Sequence, residues 1–164
     1  MGKRTAGTDR ITVKTDMNDY EIVPMNTRHI AEVAALETVC FADPWSADSF
    51  DQSLVNDAMS FFVAVSKGGS ILGYAGIASV ADESELLNIA VDPNARRCGV
   101  ASALLDRAIG EAKANGAAVM YLEVRESNDG ARRLYEKYGF TAIGTRKNYY
   151  RLPCEDAVIM AATL

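Results

Sequence analysis

Residues 84–105 read SELLNIAVDPNARRCGVASALL, and this stretch decides the fold. Leu86, Leu87, Ile89, Ala90 and Val91 form an apolar run of strand length. Asp92-Pro93-Asn94 ends the run, because proline fixes φ and brings no N–H to a ladder. A helix is expected after Arg96, Arg97, Cys98 and Gly99: Val100, Leu104, Ala108 and Ala112 recur every four residues, and Leu105 and Ile109 widen the same apolar face. Gly116 stands where a left-handed residue ends such a helix. The segment therefore reads as strand, short loop, helix.

The loop carries candidate chemistry. Gly99 and Ala101 have little or no side chain, so a ligand can come close to the backbone. The first turn of a helix has free N–H groups at the positive end of a dipole, a setting that suits phosphate. Arg96 and Arg97 add fixed positive charge. A diphosphate-bearing cofactor is one reading; a tight loop with two solvated arginines is the other, and spacing alone does not separate them. The loop has no lysine for a P-loop and only one of the three glycines of a dinucleotide fingerprint.

Outward from this stretch, residues 20–23 read as a first strand. Thr27 is placed to cap a helix to about Val39, with Ile30, Val33, Ala34 and Leu36 toward the core. Pro44-Trp45 interrupts, and Ser46 caps a second helix to about Asn56. Trp45 is read either as a plug between the two helices or as an apolar wall of a substrate groove. Residues 61–65 and 71–80 are strands joined by a Lys67-Gly68-Gly69-Ser70 hairpin turn. A strand at 119–125 and a helix at 130–138 follow, the helix opened by Ser127-Asn128 and stopped by Gly139. Strands at 140–146 and 157–162 finish the chain, with 147–153 expected as a loop. Hairpins followed by strand–helix–strand–helix–strand indicate a mixed α/β sheet with helices on its faces.

A chain of 164 residues, 49% hydrophobic and 24% charged, is expected to be one soluble domain. We divide it into a flexible extension, residues 1–16, and a domain over residues 17–164, with Met17 an alternative start. No apolar run reaches membrane-spanning length and no secretory signal is visible, so a cytoplasmic protein without membrane contact is expected. Cys40, Cys98, Cys154 and the single His29 offer no zinc spacing, and no metal is expected. Residues 1–16 carry Lys3, Arg4, Arg10 and Lys14 against Asp9 and Asp16, a net of +2 that leaves −7 on the rest of a chain whose total is −5. An acidic body argues against nucleic acid and suits a basic substrate, although acidity also serves solubility.

Alternation along Val119-Met120-Tyr121-Leu122-Glu123-Val124-Arg125 puts Glu123 on one face with Tyr121 and Arg125. A carboxylate in mid-strand needs a partner or a purpose: Glu123 is either a general base or half of a cross-strand pair with an arginine. Tyr135, on the next helix, is either a general acid or a core aromatic.

Arg96-x-x-Gly99-x-Ala101 after a strand resembles the acyl-CoA motif of the GCN5-related N-acetyltransferase superfamily. The resemblance implies a mostly antiparallel central sheet with splayed central strands, helices on both faces, and acetyl-CoA entering the splay. It implies that Arg96, Arg97, Cys98, Gly99, Val100, Ala101 and Ser102 hold the pyrophosphate, mostly by backbone N–H groups. Ile89, Ala90 and Val91 would meet the acetyl and pantetheine end. Further blocks narrow the likeness: Pro44-Trp45-Ser46, Asn88-Ile89-Ala90-Val91-Asp92-Pro93, Leu122-Glu123-Val124-Arg125, Leu134-Tyr135-Glu136, Asn148-Tyr149-Tyr150 and Glu155-Asp156-Ala157-Val158-Ile159-Met160. Together they resemble the bacterial ribosomal-protein alanine N-acetyltransferases, over roughly Met17 to the C-terminus. That likeness implies direct transfer of acetyl to a protein N-terminal alanine, with Glu123 as proton acceptor, Tyr135 as proton donor and Asn128 as an acetyl-CoA contact. Trp45, Tyr149 and Tyr150 are then candidates to narrow the substrate site around a small first residue. The expected partner is the N-terminus of a ribosomal protein or a similar basic peptide, met by a monomer. The alternatives are the same fold acting on lysine or a small amine, and a non-catalytic acetyl-CoA-binding module, for which Glu123 and Tyr135 would have no use.

Overall fold

The computed structural model describes residues 19–164. The extension over residues 1–16 and the alternative start at Met17 lie outside the described residues. Seven strands form one sheet in the order β1-β2-β3-β4-β5-β7-β6. They are β1 (Tyr20–Pro24), β2 (Met59–Ser66), β3 (Ile71–Val80), β4 (Glu83–Val91), β5 (Val119–Arg125), β6 (Thr141–Arg151) and β7 (Cys154–Thr163). The α-helices are α1 (Ile30–Cys40), α2 (Ala47–Leu54), α3 (Val100–Ala114) and α4 (Asp129–Lys137). All neighbouring strands are antiparallel except β4 and β5.

Period-two alternation sends successive β2 side chains to opposite faces. Phe61 and Val63 pack with Ile30, Val33 and Leu36 of α1 and Phe50 of α2. Phe62 and Ala64 pack on the other face against Val100 and Leu104 of α3. A strand covered on both faces reads as a continuous apolar run, which is why 61–65 shows no polar alternation. Toward β5, Leu105, Ala108 and Ala112 of α3 share a cluster with Met120, Leu122, Val124 and Tyr135.

The parallel pair is short. β4 and β5 match only at Glu83↔Val119, Ser84↔Met120 and Glu85↔Tyr121. Beyond that point β4 stays with β3 as far as Val91, and β5 stays with β7 as far as Arg125. Each strand is held by its outer neighbour, so the two diverge and leave a gap. The β3–β4 register shifts between Gly76 and Ile77, leaving Leu87 as an extra residue in β4; such a bulge bends the strand and adds to its twist.

Two expectations are corrected at local detail. The first helical turn is capped by Asn26, not Thr27: the Asn26 side chain accepts from Arg28 N, and the His29 ring accepts from Asn26 N at 3.1 Å, closing a capping box. Residues 147–153 are mostly hairpin rather than loop, with β6 running to Arg151 and pairing Tyr150↔Glu155 and Arg151↔Cys154. Asn148, at φ 51, takes up a register break between Arg146 and Tyr150, and its N–H donates to Asp156 at 2.8 Å. An aromatic pair suits a strand, and the break lets the pairing resume beyond it.

Gly73 of β3 and Gly110 of α3 respond oppositely to an added side chain. A Cβ on Gly73 would lie 2.6 Å from the Ala90 carbonyl oxygen, with Leu104 and Val100 at 3.2 and 3.3 Å. Gly110, on α3, has nothing within 4 Å. Gly73→Ala is expected to destabilise the protein by about 1–3 kcal/mol, because backbone must move. Gly110→Ala should stabilise it by about 0.5–1 kcal/mol through helix propensity. Urea unfolding of the two variants checks this by the opposite signs of their midpoint shifts.

Candidate active site

The gap between β4 and β5 opens into a cavity of about 620 Å³. Its floor is made by Leu86, Asn88 and Ile89 of β4 and by Leu122, Glu123 and Val124 of β5. Asn128, at the start of α4, and Tyr135, within it, also line it. One wall comes from the α1–α2 loop with Phe41, Asp43 and Trp45; the other comes from the β6–β7 hairpin with Tyr149, Tyr150 and Leu152. The sequence candidates Ile89, Glu123, Asn128, Tyr135, Trp45, Tyr149 and Tyr150 are thus brought together around one space.

The arginine–glycine loop lies farther along, past the end of β4. None of Arg96, Arg97, Cys98, Gly99, Val100, Ala101 and Ser102 lines this cavity, nor do Ala90 and Val91. The loop is nonetheless shaped for an anion. Arg97 and Gly99 both take left-handed backbone, at φ 63 and 77, and no side chain caps the start of α3. Its first-turn N–H groups are therefore left for an outside acceptor. A Cβ on Gly99 would meet only the Tyr20 hydroxyl, at 3.7 Å, so the approach to these groups is open. The residues present fit a pyrophosphate at the loop and a thioester chain running back along β4 to the cavity. Among the described residues, no group of three His, Cys, Asp or Glu side chains is arranged to hold a metal.

Glu123 forms the cross-strand arginine pair that one of its two readings expected, and it also lines the cavity. Its Oε1 pairs with Arg146 Nε at 2.9 Å, and its side chain is 16% exposed. Arg146 is the cross-strand arginine, reached through β7, and its own side chain is 57% exposed. Hydrogen bonding to the Glu123 carboxylate, then burial, raises the Tyr149 phenol. Burial, then the nearby Glu123, holds the Glu85 carboxyl above its usual range. Glu123 therefore stands at the junction of the cavity with a smaller one of about 360 Å³, lined by Glu83, Glu85, Tyr121 and Arg146.

Tyr135 is 5% exposed and packs edge-on to Phe140 at 5.8 Å between ring centres. Burial, with Tyr150 a lesser cause, pushes its phenol well above the ordinary tyrosine range. The phenol therefore keeps its proton at neutral pH and has one to give. Burial, then Glu123, pushes Tyr150 up to about 12. The Asn128 side chain accepts from Ala131 N at 3.2 Å and so caps α4.

Three neighbours were missed from sequence. Arg125 donates to the Leu152 and Pro153 carbonyls at 3.0 Å each and stacks 4.2 Å over Tyr150, tying the hairpin to β5. Arg146 partners Glu123. Glu37 of α1 is fully buried, and its carboxylate accepts from Trp45 N at 3.0 Å and from Asn88 Nδ2 at 3.2 and 3.3 Å. The sequence signal for Glu37 was its place on the apolar stripe of Ile30, Val33 and Ala34, where a carboxylate is out of keeping.

Comparison with known proteins agrees with this geometry. The Acetyltransferase (GNAT) family profile matches residues 30–140. The chain is 37% identical over 142 residues to the [ribosomal protein bS18]-alanine N-acetyltransferase of Escherichia coli, covering 85% of this chain and 95% of that one. It is 36% identical over 133 residues to the N-alpha-acetyltransferase RimI of Mycobacterium tuberculosis, covering 77% of this chain and 82% of that one. The crystal structure of the Escherichia coli ribosomal-protein-S18-alanine N-acetyltransferase superposes with a TM-score of 0.80 at 36% identity, covering 88% and 93% of the two chains. The strand–loop–helix around Gly99, the short β4–β5 pairing and these likenesses agree, and the chain belongs to the GNAT acetyltransferase family.

Proposed function

We propose that this acetyltransferase moves acetyl from acetyl-CoA directly onto the N-terminal alanine of ribosomal protein bS18, or onto a similar basic peptide end. The observation that carries the reading is the convergence of Glu123 from β5, Tyr135 from α4 and the unpaired edge of β4 at Ile89 on one cavity between two loop walls. The name of the Escherichia coli relative supplies the substrate, and an acidic body fits a basic peptide better than nucleic acid.

Acetyl-CoA supplies an activated acyl group on a thiolate leaving group. The pyrophosphate falls to the open N–H groups of Arg97 to Ser102, with Arg96 and Arg97 adding charge. Backbone N–H groups of Ile89 and Val91, which alternate away from β3 where β4 leaves β5, orient the thioester and polarise its carbonyl. Glu123, with Oε1 held by Arg146, takes a proton from the incoming amine, directly or through water. Tyr135, kept protonated by burial, donates to the departing thiolate. An α-amine, with a pKa near ~8 against ~10.4 for lysine, gives up its proton at far lower cost at neutral pH. Trp45, Tyr149 and Tyr150 border the acceptor end and favour a small first residue. The chain needs no metal for these steps and works as a cytoplasmic monomer.

Glu123→Gln and Tyr135→Phe should each lower kcat by about 10²-fold or more, the scale of a general acid–base step. Glu123→Gln should recover part of its rate as pH rises, because more of the amine then arrives unprotonated. A pH–rate profile parallel to that of the native enzyme would remove Glu123 from the base role.

Mass spectrometry on two matched basic peptides tests the acceptor. One has a free N-terminal alanine; the other is blocked there and carries an internal lysine. Acetylation is expected on the first alone. Equal or faster modification of the blocked peptide would make the chain a lysine acetyltransferase, and modification of neither would favour a small amine.

A further inference from the structure

Glu37 is 0% exposed, yet no cation balances it among the described residues. Burial raises its carboxyl above the usual range, and hydrogen bonding from Trp45 N and the Tyr74 hydroxyl draws it partly back. Such a group is kept at a cost, and a neutral apolar residue would fill the same space without one. What the carboxylate holds explains its place. It receives the backbone N–H of Trp45 at 3.0 Å, eight residues along the chain, at the end of the α1–α2 loop. It receives Asn88 Nδ2 from β4 at 3.2 and 3.3 Å. Asn88 Nδ2 also reaches the Tyr74 hydroxyl at 2.8 Å, so the Tyr74 proton is left to point at Glu37. Three elements, α1, β3 and β4, are thereby tied to one loop. Trp45 and Asn88 line the cavity; Glu37 and Tyr74 do not.

We propose that Glu37 is a positioning residue: through Trp45 N and Asn88 it fixes the α1–α2 loop to β4 and so sets the wall against which the first residue of the acceptor peptide is read. The inference deepens the proposed function and rests on it for the nature of the acceptor. Trp45 is held from two sides. Its backbone is anchored by Glu37, and its ring leans on Phe50 at 5.4 Å and Phe61 at 6.1 Å between centres. Apolar packing alone would let the loop slide along these rings. The hydrogen bond fixes its register to the strand that presents Ile89, one residue beyond Asn88. The thioester and the amine pocket are thereby set relative to one another, and small misplacements between reacting groups are costly in rate.

The test uses charge exchange. Glu37→Gln keeps the shape but turns an amide NH₂ toward the NH₂ of Asn88. Asn88→Asp sets two carboxylates face to face. The paired variant Glu37→Gln with Asn88→Asp again matches donors to acceptors: the glutamine oxygen accepts from Trp45 N, its NH₂ donates to Asp, and the Tyr74 hydroxyl donates to the same carboxylate. Trp45 is the sole tryptophan, so its fluorescence reports the loop with or without substrate. In Glu37→Gln, acrylamide quenching of Trp45 should rise, and KM for the alanine peptide should rise about tenfold or more, the loss of a hydrogen bond to a charged group. The KM for acetyl-CoA should hold, and kcat should fall less than the peptide KM rises. The paired variant should recover both readouts relative to either single change. Should Glu37→Gln fail to fold, Tyr74→Phe, which removes one hydroxyl, should shift both in the same direction to a lesser degree. A lowered melting temperature with unchanged quenching and peptide KM would overturn the proposal, as would a paired variant no better than the singles. If the native enzyme acetylates no peptide, the quenching series still decides the role of Glu37, and only the acceptor assignment fails.

Discussion

The β4–β5 ladder stops after three residue pairs, and the cavity between the two strands follows from that stop. A parallel pair buried in a sheet would ordinarily continue, since each unpaired backbone group in a dry interior costs about 1–3 kcal/mol. Here neither strand can move to close the gap. β4 is bound to β3 from Glu83 to Val91, and β5 is bound to β7 from Val119 to Arg125. The covering helices and their clusters fix the outer pairs, so the divergence is a property of the whole sheet. The groups left on the inner edge of β4 are donors and acceptors without a strand partner on that side. An extended thioester chain with amides of its own is the kind of molecule that could complete the ladder.

The two walls of the cleft are positioned by charge, and in different surroundings. Arg125 works from the rim, donating to the Leu152 and Pro153 carbonyls and pairing with Glu155 at 3.6 Å. Glu37 works from the core, where its partners are uncharged N–H and O–H groups. The hairpin that Arg125 holds carries Tyr149 and Tyr150; the loop that Glu37 holds carries Trp45. Between them stands Glu123, whose pairing with Arg146 orients the carboxylate without enclosing it. Glu123 and Tyr135 thus sit on strand and helix, while Trp45 sits on a loop and Tyr149 and Tyr150 on a hairpin.

The parts of the chain legible in sequence were those governed by local periodicity. Residues 84–105 announced strand, loop and helix, and alternation in β5 placed Glu123 opposite the buried Met120, Leu122 and Val124. Ser46 declared its helix by the usual cap chemistry. The parts misread depend on partners distant in sequence. Residues 147–151 look like a loop until β7 supplies the pairing. The Asn26 cap competed with an equally plausible Thr27, and the His29 ring decided it. Glu37 and Asn88, 51 residues apart, make sense only together, and no period of 2 or 3.6 joins them. Arg146 was expected as a kind of partner for Glu123, but its identity needed the sheet order.

The central claim is that acetyl-CoA completes the interrupted ladder and seats its pyrophosphate at the start of α3. Hydrogen–deuterium exchange at single-residue resolution, with and without saturating acetyl-CoA, tests it most directly. Binding should slow exchange at the amides of residues 89, 91 and 97–102 together, with little change along β1 and β2. Unchanged exchange in both segments at saturation, or protection confined to another part of the molecule, would contradict the account.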